Sequence, residues 1–555
     1  MKSYFLPLAL ISFLFLGQSC EQSKLSGAKE AEMMTQSRSS LKEEIAAVTE
    51  EATGEVVEPE EPESALMDST TVNLPDQNTE EYGKIIENPF LGAKDNPLST
   101  FSIDVDNAAY SNVRRYLSEW NQLPPNGAVR LEEMINYFDY DYPQPTGEHP
   151  FSVNMELSQA PWAQEHQLLH IGLQGKDLNY DELKPSNLVF LIDCSGSMSS
   201  DNKLPLLKQG LKMLLSQLDD KDKVAIVAYA GAAGLVLPST PASQANKILS
   251  ALDRLEAGGS TAGGQGIELA YKTAQEALIE GGNNRVILAT DGDFNVGPSS
   301  SSDLVDLITE KRKLDIYLTI CGFGMGNYKD DSMEQISNAG NGNYFYIDNE
   351  KEAKKVFVRE MRANMFSIAK DVKIQIEFNP QLVKAYRLVG YENRLLKAED
   401  FDDDTKDAGE LGAGHTVTAI YEIIPQGSAS TQKVTQHPAL KYQDAPSIKN
   451  NSSDLMTLKL RYKPLDSDKS KLLEFNLNKD AAVEQTSDNF RFSAAVAAFG
   501  MLLRDSEFKG TANFDKVKNW ALSAKGQDPN GDRAELVKLI QLAAQIKSNA
   551  AAQNN

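Results

Sequence analysis

Cysteine is almost missing from this sequence: three residues in 555 cannot build a disulfide framework. Histidine is nearly as scarce. The five residues His149, His166, His170, His415 and His437 show no HExxH spacing, which leaves thiolate–zinc and Ser–His hydrolase chemistry little to work with. Positive charge is in deficit, 55 Lys plus Arg against 79 Asp plus Glu for a net −24. A chain so charged repels phosphate backbones and anionic lipid surfaces, which excludes nucleic acid as a partner. Beyond the N-terminus no apolar run approaches the roughly 20 residues of a membrane span, which excludes a multi-pass channel or transporter. At about 100 to 200 residues per domain, the length implies about three folded units.

The apolar run that is present lies at the start. Lys2 supplies a short positive region, Phe5 to Leu16 an h-region of signal-peptide length, and Gly17-Gln18-Ser19-Cys20 follows, the pattern of an export signal over 1–19. A small residue before Cys20 resembles a bacterial lipobox, which implies lipidation of Cys20. The place three residues before the cysteine holds Gly17, with the leucine one position earlier, so plain secretion is the alternative. Two acyl chains would anchor the protein firmly. From 20 to 87 the composition turns to Glu, Ser, Thr and Pro, and Glu21 to Phe90 holds 17 acids against 5 bases. Such a segment cannot bury enough apolar surface to offset its ordering entropy and is expected to be a disordered tether.

Folded sequence begins near Asn88. Asp106 or Asn107 is placed to cap a helix carrying Ala109, Val113, Leu117 and Trp120, and Val129 to Phe138 reads as a second helix, together a small helical domain over 88–145. Alternation at Phe151 to Leu157 and Leu169 to Leu173 marks two half-buried strands within 146–185. Over 186–368 the pattern changes to short, continuously apolar strands separated by helical stretches, the signature of a doubly wound α/β domain. Its last helix is expected over about Lys351 to Ser367. Alternation returns within 369–485 at Val372 to Phe378, Val417 to Ile423 and Met456 to Tyr462, and helical spacing closes the chain over 486–555. The flanking strands are too few to stand alone. The α/β domain is therefore expected to be inserted into an antiparallel β-sandwich built from both flanks, with helical units at both ends.

The chemistry sits at strand ends. One strand runs into Asp193-Cys194-Ser195-Gly196-Ser197, another into Thr290-Asp291-Gly292, and Gly258-Gly259-Ser260-Thr261 opens a helix between them. Adjacent strands would bring these loops to the crevice at their carboxyl ends. Asp193, Ser195, Ser197, Thr261 and Asp291 form an all-oxygen set suited to a hard cation: Mg²⁺ (or Mn²⁺), with Ca²⁺ a poorer fit because it takes six to eight ligands. Asp193 and Asp291 balance such a cation without saturating it, leaving room for a partner's carboxylate. Asp528 to Asp532 lacks EF-hand spacing and reads as a helix start, and Asp104 and Asp106 read as turn and cap residues. Cys194 and Cys321 read as buried thiols on non-adjacent strands.

DCSGS, GGST and ATDGD in this order on alternating β/α sequence resemble the von Willebrand factor type A domain and its metal-ion-dependent adhesion site. The resemblance implies that Ser195, Ser197 and Thr261 contact the metal and that Asp193 and Asp291 bind it directly or through water. Some members of that family move their final helix on ligand binding. The segments NPFLGAKDNPLSTFSIDVDNAAYSNVRRYL and LPPNGAVRLEEMINYFDYDYP resemble the small domain preceding the type A domain in a family of bacterial envelope lipoproteins. The region after Ile368 resembles that family's C-terminal domain. The function implied is non-enzymatic: a lipid-anchored module of the bacterial cell envelope that captures an Asp or Glu of an envelope or extracellular protein. The rival readings are a structural spacer with an unused site and, last, a metal-assisted hydrolase, which lacks a histidine near Ser195 in sequence.

Overall fold

The computed structural model of the chain describes residues 80–179, 183–259, 263–292, 301–326, 328–435 and 452–553. The expected signal segment, Cys20 and nearly all of the tether lie outside them. The described chain starts with β1 (Leu91–Gly92) and β2 (Leu98–Ser102), followed by helices Ala108–Ser118 and Leu131–Asn136. The first helix is not capped by its own N-terminal side chains. Asn107 makes no cap bond, Asp106 accepts the Tyr344 N–H at 2.8 Å, and Glu133 of the second helix accepts the Ala109 N–H at 2.8 Å. A cross-helix carboxylate satisfies the exposed helix end in place of a local cap.

A hairpin of β3 (Phe151–Ala160) and β4 (Ala163–Gly175) leads into β5 (Ser186–Asp193). Then come β6 (Lys223–Tyr229), β7 (Ala233–Pro241), β8 (Asn283–Thr290), β9 (Ile316–Phe323) and β10 (Tyr344–Ile347). These last six form one sheet in the order β10-β9-β8-β5-β6-β7, parallel except for β7, which pairs antiparallel at the edge. Every residue of β5 and β8 is buried; helices cover both faces, which is why these strands read as continuous apolar runs. Cys194 and Cys321 are buried free thiols, and β8 separates β5 from β9.

The final helix of this domain departs from expectation. Instead of one helix to Ser367 there are a turn of helix at Glu350–Lys354, a π-helical turn at Lys355–Arg359 and a further turn at Met361–Met365. The Glu360 N–H reaches Lys355 O at 2.9 Å, and the Asn364 side chain donates to Val356 O at 3.0 Å. The wide turn lets Lys355 reach Glu360 at 2.6 Å and Arg359 reach Asp532 at 2.7 Å, an arrangement a straight α-helix would not offer.

The remaining strands are β11 (Ser367–Phe378), β12 (Val383–Val389), β13 (Leu395–Leu396), β14 (Gly409–Gly412), β15 (Thr416–Pro425), β16 (Asp454–Lys463) and β17 (Lys471–Asn478). With the early strands they make two antiparallel sheets, β1-β12-β15-β4-β3 and β13-β2-β11-β16-β17, with β14 on β11. The β4–β15 ladder runs from Gln174↔Thr416 to Gln167↔Ile423 and so joins strands from before and after the α/β domain. Ile171, Leu173, Tyr421 and Ile423 of one sheet share a core with Ile374, Ile376, Leu458 and Leu460 of the other.

The two helical ends are not separate units, as expected from sequence, but one. Helix Asp488–Leu503 is buried on nearly every side, so it needs apolar partners all round. Tyr110, Leu117, Met134 and Phe138 of the early helices supply one side, and Ala385, Ile420 and Ile424 on the outer face of a sandwich sheet supply another. Helices Phe514–Ser523 and Asp532–Gln553 complete this core through Val517, Leu536 and Ile540.

Candidate functional site

The α/β sheet positions the oxygen-bearing loops. β5 pairs in parallel with β8, Ile192 opposite Ala289, so Asp193 and Asp291 leave neighbouring strand ends. Asp193 is fully buried. One of its oxygens accepts the Ser195 N–H at 2.8 Å; the other accepts the Tyr229 hydroxyl at 3.2 Å and the Thr290 hydroxyl at 3.4 Å. Burial pushes its pKa up, and the nearby Asp291 carboxylate adds to the rise against the hydrogen bonds from Ser195 and Tyr229. Such a pair of carboxylates gains from a cation between or beside them. The Ser195 and Ser197 hydroxyls lie 2.9 Å apart, converging on one side of the loop.

The third loop touches the first through its backbone. Gly258 N–H donates to Cys194 O at 2.8 Å, and Gly196 N–H donates to Gly259 O at 3.1 Å. Gly259 holds a φ of +84°, a conformation that costs glycine little. Thr261 lies outside the described residues, as does Asp293. The structure thus assembles Asp193, Ser195, Ser197 and Asp291 at one edge, and the donor chemistry of two carboxylates with two hydroxyls suits Mg²⁺. Among the described residues no three Asp, Glu, His or Cys side chains form a metal-holding group, so any ion held here would depend on the hydroxyls.

Sequence reading missed Lys203. Its Nζ lies 2.8 Å from Asp291 Oδ2, with side-chain exposures of 9% and 0%. It stands at the N-cap position of helix Leu204–Leu215, where the helix dipole disfavours a cation; that misplacement was the available signal. The other singled-out residues have structural partners. Asp104 and Asp106 both pair with Arg394, at 2.9 and 3.0 Å. Asp528 accepts the Arg533 and Ala534 N–H groups at 3.2 and 2.8 Å, a helix cap rather than a calcium loop. Burial raises the Cys194 thiol to about 11, which leaves it protonated and unreactive.

The described histidines sit in the β-sandwich region, away from Ser195. His149 contacts Tyr462 and His170 contacts Tyr142, while burial lowers His415 to about 4. His166 bonds Glu422 at 2.5 Å on one ring nitrogen and Ser430 at 2.7 Å on the other. His437 lies outside the described residues.

Among known proteins, residues 187–359 match the von Willebrand factor type A domain, 76–170 a von Willebrand factor family, and 363–546 the C-terminal domain of uncharacterized protein YfbK. The uncharacterized protein YfbK of Escherichia coli (strain K12) is 43% identical over 479 residues, 85% of this chain and 82% of that protein. Inter-alpha-trypsin inhibitor heavy chain H4 of Homo sapiens is 31% identical over 148 residues, 25% of this chain and 16% of that one. A solved von Willebrand factor type A protein from Catenulispora acidiphila is similar at 17% identity and a TM-score of 0.40, covering 72% of this chain and 99% of that one.

Proposed function

We propose, for a chain that belongs to the YfbK family and carries its von Willebrand factor type A domain, that the strand-end site is a metal-dependent, adhesion-type binding site. On this reading Asp193, Ser195, Ser197, Thr261 and Asp291 hold Mg²⁺ or Mn²⁺, and a carboxylate of an envelope or extracellular protein completes its coordination. The observation that carries the reading is the convergence of the paired Ser195 and Ser197 hydroxyls with two buried carboxylates at the ends of adjacent strands. Cys20, acylated, would tether the module to the bacterial envelope. The type A domain reads as an insertion in the β-sandwich, supported by the β4–β15 ladder across it. Isothermal calorimetry tests the site: Mg²⁺ binding is expected with the wild type and lost in Asp193→Ala. Equal heats from both proteins would refute it.

One observation favours the spacer, and another raises a metal-free hydrolase distinct from the metal-assisted one. The Lys203–Asp291 pair at 2.8 Å satisfies part of the site without metal, as a spacer with an unused site would. Ser430, His166 and Glu422 line up at 2.7 and 2.5 Å like a nucleophile, base and acid. Binding is preferred over hydrolysis because the His166–Glu422 pair has a packing role: Arg387 reaches Glu422 at 2.9 Å, and the Phe90 ring lies 5.4 Å from His166. The cavities of about 230 Å³ beside Asp104 and Arg394 and about 400 Å³ beside Gly83 and Glu392 are lined by neither Ser430 nor His166. Fluorophosphonate labelling lost in Ser430→Ala would favour the hydrolase.

A further inference from the structure

The strand-end site contains a cation of its own, held in place by more than its charge. Lys203 donates backbone and side chain to different neighbours: its N–H bonds Ser200 O at 3.0 Å, its carbonyl accepts the Leu207 N–H at 2.9 Å, and its ammonium reaches Asp291. The aliphatic stem runs across Gly324, where a Cβ would come within 2.1 Å of Lys203 Cε and 2.7 Å of Cγ. Gly324 has a φ of +72°, so glycine both permits the turn and clears the channel that the lysine fills.

The wall of that channel is anchored. The Tyr346 hydroxyl donates to Gly324 O, Trp120 Nε1 donates to Met325 Sδ at 3.1 Å, and the Gly326 N–H donates to Glu80 Oε1 at 2.8 Å. Glu80 is itself clasped by both terminal nitrogens of Arg115, at 2.6 and 2.9 Å, and by the Tyr116 hydroxyl at 3.0 Å. Burial would raise the Glu80 pKa, but Arg115 and these donors hold it below the ordinary value. The ammonium therefore cannot leave Asp291 by a simple swing of a loop.

We propose that Lys203 is a fixed third charge of the metal site, which weakens metal binding and couples it to capture of a carboxylate. This inference rests on the metal-site reading above. With Asp193, Asp291 and Lys203 the empty site carries one net negative charge; a divalent ion makes it one net positive. An incoming carboxylate then neutralises it. Lys203 repels the ion and competes for Asp291, so the ion alone binds weakly, and a carboxylate that joins it restores balance. By linkage each ligand strengthens the other by the same factor. A site without the lysine would be neutral with metal bound and would gain less from a carboxylate.

Calorimetry on the full chain, stripped with chelator, tests this with Mg²⁺ alone and with Mg²⁺ in the presence of acetate. Lys203→Met keeps the stem and removes the charge, while Lys203→Arg keeps the charge. The Met variant is expected to bind Mg²⁺ at least about tenfold tighter than wild type, because like charges a few ångströms apart interact strongly at an effective dielectric near 20. Acetate should tighten Mg²⁺ binding in wild type and in Lys203→Arg, and by less in Lys203→Met. In chelator the Met variant should melt lower than wild type, with Mg²⁺ closing the gap, because the buried Asp291 carboxylate loses the charge of the Lys203 ammonium. Lys203→Gln serves the same comparison where the Met variant fails to fold. Unchanged or weaker Mg²⁺ binding on loss of the charge overturns the role of Lys203. Absence of Mg²⁺ binding in all variants, with Asp193→Ala indistinguishable, instead overturns the metal site itself.

Discussion

Two clusters of buried charge in this molecule are built on opposite plans. Between the N-terminal helices and the type A domain, guanidinium groups are surrounded. Arg114 meets Asp348, Glu352 at 2.8 Å and Glu535 at 3.0 Å, and Arg130 meets Glu133, Asp330 and Glu334 at 3.1, 2.6 and 2.7 Å. At the strand ends, one of two carboxylates meets an ammonium, the other is held by hydroxyls and a backbone N–H, and the Ser195 and Ser197 hydroxyls face each other. The first plan ties the N-terminal helix, the type A domain and the C-terminal helix together with fixed partners. The second sets two buried carboxylates at the ends of adjacent strands, with one ammonium on Asp291. The seam spends its charges on architecture; the edge, on the proposed reading, holds its charges for a ligand.

Breaking the seam should therefore cost far more than altering the edge. Arg114→Leu leaves Asp348 and Glu352 buried without their cation, and a loss of about 3–5 kcal/mol of stability is expected in urea unfolding. A change below about 1 kcal/mol would show that the seam carries little. Asp193→Asn in chelator should do the opposite, leaving stability within about 1 kcal/mol of wild type or raising it, because it relieves repulsion with Asp291 at a site kept for function. A thermal melt that drops as far as the Arg114 variant would erase the contrast.

A finer test uses pH. Burial raises Glu360, at the end of the π-helical turn, to about 7, even with Lys355 beside it. The folded protein keeps a proton that the unfolded chain gives up at the ordinary glutamate value. The stability this provides is fully present below that value and is lost as pH rises to about 7. Glu360→Gln should flatten the melting temperature across this window, although Asp106, raised by burial to about 8, retains its own contribution. An unchanged slope would remove Glu360 from the seam. The smallest structural effect is expected from Cys20→Ser, which should leave melting untouched and move the protein out of the membrane fraction; unchanged partitioning would remove the lipid anchor.

What could be read from sequence follows the same division. The edge was legible because its residues lie in short motifs at the ends of apolar strands, DCSGS and TDGD, each complete within a few positions. Lys203 was not, because its partner is 88 residues away and its place depends on the missing side chain of Gly324. Alternation revealed β11, β15 and β16, yet β12 escaped. Val383 and Leu388 face the sandwich core while Ala385 and Val389 face the helices, so a strand covered on both sides shows no period of two. The helical seam was invisible for a related reason: long-range ion pairs leave no periodic trace.

The shared core of the first and last helices sets an order of events. The type A sheet closes over neighbouring stretches of chain, but Tyr110 and Phe138 find Phe492, and Arg114 finds Glu535, 421 residues further on. Contacts of such separation must wait for nearly the whole chain, and their closure entropy is repaid only at the end. The type A domain can thus form early, while the seam around its last helix is the final part to lock. A chain cut before Asp488 would keep the strand-end loops but leave Val113, Leu117 and Met134 without their cover, exposing an apolar surface of the kind that invites aggregation.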